Sequence, residues 1–299
     1  MVKNKKNVIR RSREDVVVDT VVHVLIVLML LLTLYPILNV FSKAFSSQTA
    51  IISNAVTIYP IGFQTSTMEY VLSSNLFSTA FKNSVTVTVL GTLLSVAVTS
   101  MAAYPFSKRN LIFYKPLIML FVFTMWFSGG LIPTYLAYKE LKMLNSLKVL
   151  ILPAAINVYN MLLLKNYYES LPEALEEAAR IDGANKFQIF FQIVLPLSMP
   201  VLATVCLFTA VGLWNDFYSP MMYNTRTQLR TLSQYLYDMV AQSGTDLTMS
   251  TNADDLMNNT LPEAVRAASI IASITPILVV YPFLQKYFVK GALIGSVKG

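Results

Sequence analysis

Charged side chains are scarce in this sequence. They make up 13% of its 299 residues, whereas hydrophobic types make up 55%, and an ordinary soluble domain carries roughly a quarter charged residues. This shortage of groups to face water indicates an integral membrane protein. The net charge of +7 could suit nucleic-acid binding, but the cations stand in short runs between apolar segments. That distribution fits membrane orientation and predicts no nucleic-acid partner.

Reactive and metal-binding residues are equally few. The single cysteine, Cys206, lies in an apolar run and excludes an internal disulfide. The single histidine, His23, has no cysteine, glutamate or second histidine near it, so we expect no metal site. The sequence also lacks a G-x-x-x-x-G-K-[ST] phosphate loop and a Ser–His–Asp or Cys–His set. We therefore expect no catalytic residue and no ATP hydrolysis by this chain itself.

Long uncharged runs dominate what is present. A helix that crosses the hydrocarbon core needs about 20 mostly apolar residues. The runs that qualify or come close are 20–41, 83–104, 116–138, 149–164, 197–215 and 267–285. The first is too long for a signal peptide and lacks a cleavage site, so we expect it to be retained. Because the runs are continuous rather than alternating, they predict an all-α polytopic membrane protein with six transmembrane helices.

The lysines and arginines predict the orientation. With the N-terminus inside, the cytoplasmic segments hold 15 of these residues and the opposite side holds 8. The positive-inside rule then places both termini in the cytoplasm. The predicted segments are a cytoplasmic tail at 1–19, a membrane domain at 20–286, external loops at 42–82 and 216–265, a cytoplasmic loop at 166–197 and a second tail at 287–299.

The cytoplasmic loop contains the pattern of two helices joined by a glycine. Ser170 and Glu173 have the spacing of a capping box, and Gly183 is a natural helix stop. A second helix is expected to begin near Asn185 and to end at Pro196. One face of it is expected to carry Phe187, Phe190, Phe191 and Val194. This pattern fits both a helix pair that anchors the loop at the membrane surface and a docking element for a soluble partner.

A longer spacing pattern, E-A-A-x3-G-x9-I-x-L-P, runs through the same loop. It is filled by Glu177, Ala178, Ala179, Gly183, Ile193, Leu195 and Pro196. In this the loop resembles the EAA loop of ATP-binding-cassette (ABC) importer permeases. The ending YPFLQKYFVKGALIGSVKG and the segment WNDFYSP are similar to carbohydrate-importer permeases related to the maltose transporter. The segment FSGGLIPTYL resembles the branch of lipoprotein-linked oligosaccharide importers of Gram-positive bacteria.

The resemblance, which covers nearly the whole chain, implies the type I ABC importer permease fold and a division of labour. The chain would form half of a translocation pathway in the bacterial cytoplasmic membrane, beside a second six-span permease. Its EAA loop would dock onto a separate ABC ATPase dimer, which binds the ATP and Mg, so no cofactor would belong to this chain. An extracellular or lipid-anchored binding protein would deliver a sugar, with an oligosaccharide as the expected cargo. Glu177 and Gly183 would matter most for docking and for loop shape.

Candidate substrate contacts are aromatic and hydrogen-bonding side chains in or near the spans. They are Trp126, Tyr135, Asn157, Asn160, Trp214, Asn215 and Asp216. Aromatic rings at span ends also suit the interfacial belt, and the two asparagines also suit hydrogen bonding between helices. Residues 214–216 could equally well serve to end a helix rather than to contact the substrate.

Alternative functions remain open on the residues alone. A different importer cargo, such as a glycerol phosphate ester, would require Lys or Arg in the span interiors, where the sequence has none. A secondary carrier driven by an ion gradient would need acidic residues inside the spans, and these are few. A membrane scaffold would show no substrate-dependent ATPase activity in the presence of partners.

Overall fold

The computed structural model describes residues 13–108, 111–241 and 261–296, and their regular structure is helical throughout. The helices are α1 (Arg13–Ala44), α2 (Gln48–Ile52), α3 (Ser66–Ser73), α4 (Asn75–Phe106), α5 (Tyr114–Trp126), α6 (Leu131–Glu140), α7 (Lys148–Ile151), α8 (Val158–Glu169), α9 (Glu173–Ile181), α10 (Lys186–Ile189), α11 (Leu195–Leu197), α12 (Met199–Asn215), α13 (Tyr218–Tyr223), α14 (Leu232–Ala241) and α15 (Pro262–Ser296). Short 3₁₀ turns lie at Pro153–Ala155 and Thr227–Leu229, and a π-helical turn lies at Phe190–Val194.

The helices agree with the six predicted spans. Within the described residues, 4 helices are long and apolar enough to cross a membrane, or up to 6 if each bent pair is counted as one span. Each predicted run falls on one of them, which confirms the all-α polytopic fold. The predicted loop and tail boundaries remain predictions, and residues 1–12, 242–260 and 297–299 of those segments lie outside the described part.

The third span is two helices rather than one. α5 and α6 meet at an angle of 111°. The run 116–138 is broken at its two consecutive glycines, of which Gly130 has a φ of +86°. Glycine has low helix propensity and adopts left-handed backbone without a Cβ penalty. The segment therefore turns sharply where the hydropathy pattern indicated one continuous helix.

The fourth span is interrupted as well. Between α7 and α8, Pro153 starts a 3₁₀ turn, and Asn157 follows with extended backbone. The Asn157 Oδ1 atom accepts a hydrogen bond from the Asn160 backbone N–H at 3.0 Å, so Asn157 caps α8. Sequence analysis placed Asn157 within a helix near mid-span. It lies instead at the break, because Pro153 cannot donate a helical hydrogen bond and Asn157 supplies an acceptor for the new helix start.

The chain divides into two compact units, Met1–Val71 with Thr251–Ile271 and Leu72–Ser250 with Ala272–Gly299. In the first unit, a small core is formed by Ala50, Ile51, Val56 and Ala264. The Lys43 ammonium contacts the Glu263 carboxylate at 2.6 Å. The most apolar stretch of α1 is 0% buried, so this helix exposes apolar side chains all round, which suits a hydrocarbon environment.

The core of the second unit lies where α4, α8 and α12 meet the EAA loop (166–197). Its buried members are Ala103, Phe106, Met161, Leu164, Tyr168, Ile189, Phe190, Val194, Val201, Leu202 and Val205. Further along, α4 and α12 approach closely at Gly91, where an added Cβ would lie 2.6 Å from the Leu213 Cδ1 atom. Buried serine and threonine on α4, including Ser95 and Thr99, allow the close helix approach that small residues give in membranes. The loop is thus fixed on a rigid helix bundle.

Candidate functional site

The EAA loop folds as two helices separated by a glycine turn. α9 ends at Ile181, and Gly183 has a φ of +84°, which confirms Gly183 as the stop. The second helix begins at Lys186 with Asn185 as its cap, as predicted. A capping box is present here: the Asn185 side chain accepts from the Gln188 N–H at 2.9 Å, and the Gln188 side chain accepts from the Asn185 N–H at 2.8 Å.

The prediction of a capping box at Ser170 and Glu173 was wrong. Ser170 ends the preceding helix, and its hydroxyl donates to the Tyr167 carbonyl oxygen at 2.7 Å. α9 begins after Pro172 without a side-chain cap. The physical reason is that α8 runs up to Glu169, so the Ser170 hydroxyl satisfies a carbonyl at a helix C-terminus rather than an N–H at a helix N-terminus.

The apolar face predicted for the second helix was also wrong in part. Phe190 and Val194 are buried at 4% and 1% exposure, but Phe187 and Phe191 are 70% and 50% exposed. The π-helical turn at Phe190–Val194 adds a residue to one turn and shifts the face that points inward. As a result Ile189, Phe190 and Val194 pack into the core.

The residues of the EAA pattern divide between an exposed part and a packed part. The exposed positions are Glu177, Ala178, Gly183 and Pro196, and the half-buried positions are Ala179, Ile193 and Leu195. Ala179 and Leu195 pack against the core of the second unit. Beside the exposed part, Ile181 is 86% exposed. The loop therefore presents an apolar and acidic surface outward while its far end is anchored in the bundle.

Glu176 forms an ion-pair network that sequence analysis did not single out. Its side chain is 8% exposed and contacts the Lys108 ammonium at 2.5 Å and the Arg180 guanidinium at 3.6 Å. The Tyr104 hydroxyl donates to the same carboxylate at 3.5 Å. Because Lys108 and Tyr104 lie at the end of the second span, this network ties α9 to α4. No local sequence signal separates Glu176 from Glu177, because the partner Lys108 lies 68 positions earlier.

A cavity of about 440 Å³ opens between α4, the break in the fourth span, and α12. Its lining residues are Ser95, Pro153, Ala154, Ile156, Asn157, Tyr159, Asn160, Phe208, Thr209, Gly212, Leu213 and Asp216. The structure thus brings together the predicted candidates Asn157, Asn160 and Asp216. The Asn160 amide donates to the Thr209 hydroxyl at 3.3 Å, so Asn160 both bridges two helices and faces the cavity.

The other predicted substrate contacts lie away from the cavity lining. Trp126, at the end of α5, is 81% exposed, and Tyr135 on α6 stacks against Tyr223. The Trp214 ring lies edge-on to Phe81 with ring centroids 6.1 Å apart, and Asn215 is the exposed last residue of α12. These four remain candidates by prediction alone.

Two cavity groups were missed by sequence analysis. Ser95 has a buried hydroxyl oxygen that makes no hydrogen bond within the described part of the chain, and Thr209 faces the same cavity. Thr209 lies on α12 seven residues, about two helical turns, before Asp216, and this spacing could have revealed Thr209. Asp216 also has a structural role, since its Oδ1 atom accepts from the Ser219 backbone N–H at 3.0 Å at the start of α13.

Comparison with known proteins identifies the family. The family described as the binding-protein-dependent transport system inner membrane component matches residues 110–294. The chain belongs to this family. The predicted resemblance to ABC importer permeases is thereby confirmed, and this permease is a multi-pass protein of the bacterial cytoplasmic membrane.

Similar proteins cover nearly the whole permease. The polygalacturonan/rhamnogalacturonan transport system permease protein YtcP of Bacillus subtilis is 38% identical over 94% of this chain and 98% of its own length. The arabinooligosaccharides transport system permease protein AraQ of Halalkalibacterium halodurans is 29% identical over 90% of this chain and 92% of its own. A chain in the crystal structure of a bacterial ABC transporter involved in the import of the acidic polysaccharide alginate has a TM-score of 0.85 and 33% identity, with 93% and 99% coverage.

Proposed function

We propose that this permease forms half of the translocation pathway of an ATP-driven oligosaccharide importer, beside a second six-span permease. The observation that carries the proposal is the similarity to sugar permeases over nearly the full length, at 38% identity to the relative named for polygalacturonan and rhamnogalacturonan transport. A binding protein outside the cell delivers the sugar, and the paired permeases carry it inward by alternating access.

Coupling to ATP is assigned to the EAA loop. Glu177, Ala178 and Ile181 form its outward surface, and an exposed apolar patch with acidic neighbours suits a protein partner. Ile189, Phe190 and Val194 fix the loop in the core, so a movement imposed on the outward surface is transmitted to α4, α8 and α12. The partner ATPase dimer binds ATP and Mg, and this chain supplies no catalytic group.

The cavity is assigned to the sugar pathway. Unpaired polar groups are costly inside a membrane, so they tend to face a cavity or another helix. Asn157, Asn160 and Thr209 offer amide and hydroxyl groups of the kind that bind sugar hydroxyls, and Ser95 adds a buried hydroxyl without a protein partner in the described residues. Tyr159 contributes an aromatic ring to the same lining.

The experiment that tests this function is purification of the permease with its partners, followed by reconstitution in lipid. We expect an ATPase with a phosphate loop and a second six-span permease to purify with it, and a sugar-loaded binding protein to stimulate ATP hydrolysis. If a glycerol phosphate ester stimulates ATP hydrolysis and sugars do not, the alternative cargo is supported. Uptake by the isolated chain under an ion gradient would overturn the importer assignment.

A matched pair of variants tests the coupling role. Glu177→Lys should reduce co-purification of the ATPase while membrane insertion stays normal, because it reverses the charge of the outward surface. Glu173→Lys makes the same change at an exposed position on the same helix outside the EAA pattern and should have a smaller effect. Equal losses for the two variants would contradict a specific docking role for Glu177.

A further inference from the structure

Residues 56–63 run back alongside the end of α1, and we name them the return segment. Near the start of this segment, the Asn39 side-chain amide on α1 donates to the Thr57 carbonyl oxygen at 2.9 Å. Near its end, the Ile61 N–H donates to the Ser46 hydroxyl at 3.0 Å. The residues between these two contacts therefore lie beside the last turns of α1.

The depth of the return segment follows from these contacts. The apolar run of α1 covers residues 20–41, so Asn39 lies within the last turn of that run. Ser46 lies just beyond the helix, which ends at Ala44. At 1.5 Å per residue, the rise from Asn39 to Ser46 is about 10 Å. Residues 58–60 thus lie at the level where the hydrocarbon core gives way to the polar headgroups.

Three large side chains of the return segment are exposed at this level. Ile58, Tyr59 and Phe63 are 52%, 66% and 68% exposed. Val56 and Ile61, by contrast, turn inward and belong to the small core of the first unit. The return segment therefore packs one face against the protein and leaves an apolar, aromatic face open.

The open face is continuous with the exposed apolar surface of α1. The Phe63 ring stacks on Phe45, with centroids 5.7 Å apart and planes at 9°, and the Phe45 ring contacts Phe41 of α1 at 5.0 Å. Phe41 is itself 44% exposed, on a helix whose most apolar stretch is 0% buried. A row of aromatic rings thus leads from the lipid-facing helix to the return segment.

The conformation of the return segment is fixed by backbone contacts and one glycine. The Ser47 N–H donates to the Ile61 carbonyl oxygen at 2.9 Å, and the Gln64 N–H donates to the Phe45 carbonyl oxygen at 3.0 Å. Gly62 has a φ of +64°, and a Cβ added there would lie 2.7 Å from the Ser47 Oγ atom. Because the segment is held in this shape by the protein, little freedom is lost when its open face is covered.

The charge pattern favours lipid over a protein as the partner of this face. No charged residue occurs between Lys43 and Glu69, and Lys43 is paired with Glu263 at 2.6 Å. A surface that docks a soluble protein is normally rimmed by charged and polar groups that steer the encounter. Neutral aromatic and aliphatic side chains instead suit the interface between membrane and water, where tyrosine is enriched.

We propose that the return segment is a membrane anchor that inserts Ile58, Tyr59 and Phe63 into the phospholipid interface at this end of α1. Its partner is the bilayer itself, at the level of the first acyl carbons. Because the segment carries no charge, insertion does not depend on anionic headgroups. The anchor fixes the depth at which α1 sits. It goes beyond the proposed import function and does not require it.

The test is fluorescence quenching by nitroxide lipids, with the full-length permease and the partners that co-purify in lipid nanodiscs. In a Cys206→Ala background, Tyr59→Cys carries a nitrobenzoxadiazole label. Its quenching should be roughly threefold stronger with a nitroxide near the headgroup end of the acyl chain than with one near the methyl end. Leu31→Cys, at a 61% exposed position in mid-span, should show the reverse order. Glu173→Cys, at an exposed position on the EAA loop, should respond to neither.

The contrary outcomes are distinct. A Tyr59 label quenched by aqueous iodide and by neither nitroxide overturns the anchor, because the side chain would then lie in water. A label shielded from lipid and water only after the binding protein is added also overturns it, in favour of a protein partner. Quenching that requires phosphatidylglycerol overturns the charge-independent insertion. If Tyr59→Cys fails to assemble, the label at Ile58→Cys decides the matter.

A pair of unlabelled variants tests whether lipid holds the segment in place. Tyr59→Asp should speed hydrogen exchange of the 56–61 amides in lipid about fivefold, because a charge is disfavoured at the edge of the hydrocarbon core. Tyr59→Phe, which keeps the ring, should change the exchange rate by less than about twofold. Equal exchange rates in the two variants would mean that the Tyr59 side chain is not in the interface.

Discussion

Removing the Lys108 ammonium is expected to release the coupling helix α9. The Lys108→Met variant leaves the Glu176 carboxylate, whose side chain is 8% exposed, without its shortest partner. Losing a partner in a buried ion pair costs about 3–5 kcal/mol. The cost here is smaller because the Lys108 side chain is itself 33% exposed and Arg180 remains at 3.6 Å. We expect about 2 kcal/mol, which corresponds to about a 30-fold change in the opening equilibrium of α9.

The assay is hydrogen exchange of the α9 amides in the assembled complex in lipid. Lys108→Met should lower their protection by about 30-fold, and the ATP consumed per sugar imported should rise as coupling loosens. Arg180→Met removes the other cation, which is 57% exposed, and should change protection by about twofold. The double variant Lys108→Met with Glu176→Met should recover most of the protection, because it removes both charges.

Two results would refute this reasoning. Protection in Lys108→Met that stays within about threefold of wild type would mean that the ion pair does not hold α9. A double variant no better protected than the single one would mean that the loss came from Lys108 packing over the Tyr104 ring, 5.3 Å away, rather than from an unpaired carboxylate.

Three other predictions concern the turn of the EAA loop, the packing of α4 against α12 and the cavity. Gly183→Ala should destabilise the EAA loop by about 1 kcal/mol, because alanine is strained at positive φ. The measurement is hydrogen exchange of the α9 amides, which should become faster. The control is Gly129→Ala, whose added Cβ also meets nothing within 4 Å and which should leave α9 exchange unchanged. Gly91→Leu should lower the thermal midpoint of the complex through its clash with Leu213, and Leu213→Ala should restore it. Asn160→Ala should raise the KM for sugar roughly tenfold, because a buried polar ligand would lose one hydrogen bond. An unchanged KM would mean that Asn160 does not contact the sugar.

Features set by local chemistry could be predicted from the sequence. The apolar runs located every span, since about 20 apolar residues have few other stable environments. Gly183 as a helix stop and Asn185 as a helix start were also predicted correctly, because each depends on one residue and its immediate backbone. Asn157, Asn160 and Asp216 were predicted as substrate contacts from their residue types and positions in or near the spans, and the three line one cavity.

Features set by distant partners could not be predicted. Ser170 has the same spacing to Glu173 whether it starts one helix or ends another, and the length of α8 decides between them. A π-helical turn decides which side of segment 187–194 packs into the core, and no periodicity in the sequence predicts that turn. Glu176 and Glu177 are indistinguishable as residue types, and their roles differ because Lys108, 68 positions earlier, lies beside one of them.

The π-helical turn at Phe190–Val194 decides where this segment can lose a residue. It holds one residue more than an α-helical turn, so a single deletion within it can be absorbed by its return to an α-helical turn, which leaves the orientation of the preceding helix nearly unchanged. A deletion between Gly183 and Phe190 cannot be absorbed in this way and would rotate Glu177 and the rest of α9 by about 100° relative to α12. The stretch before the π-helical turn should therefore tolerate many substitutions but no change in length, whereas the turn itself should tolerate the loss of one residue.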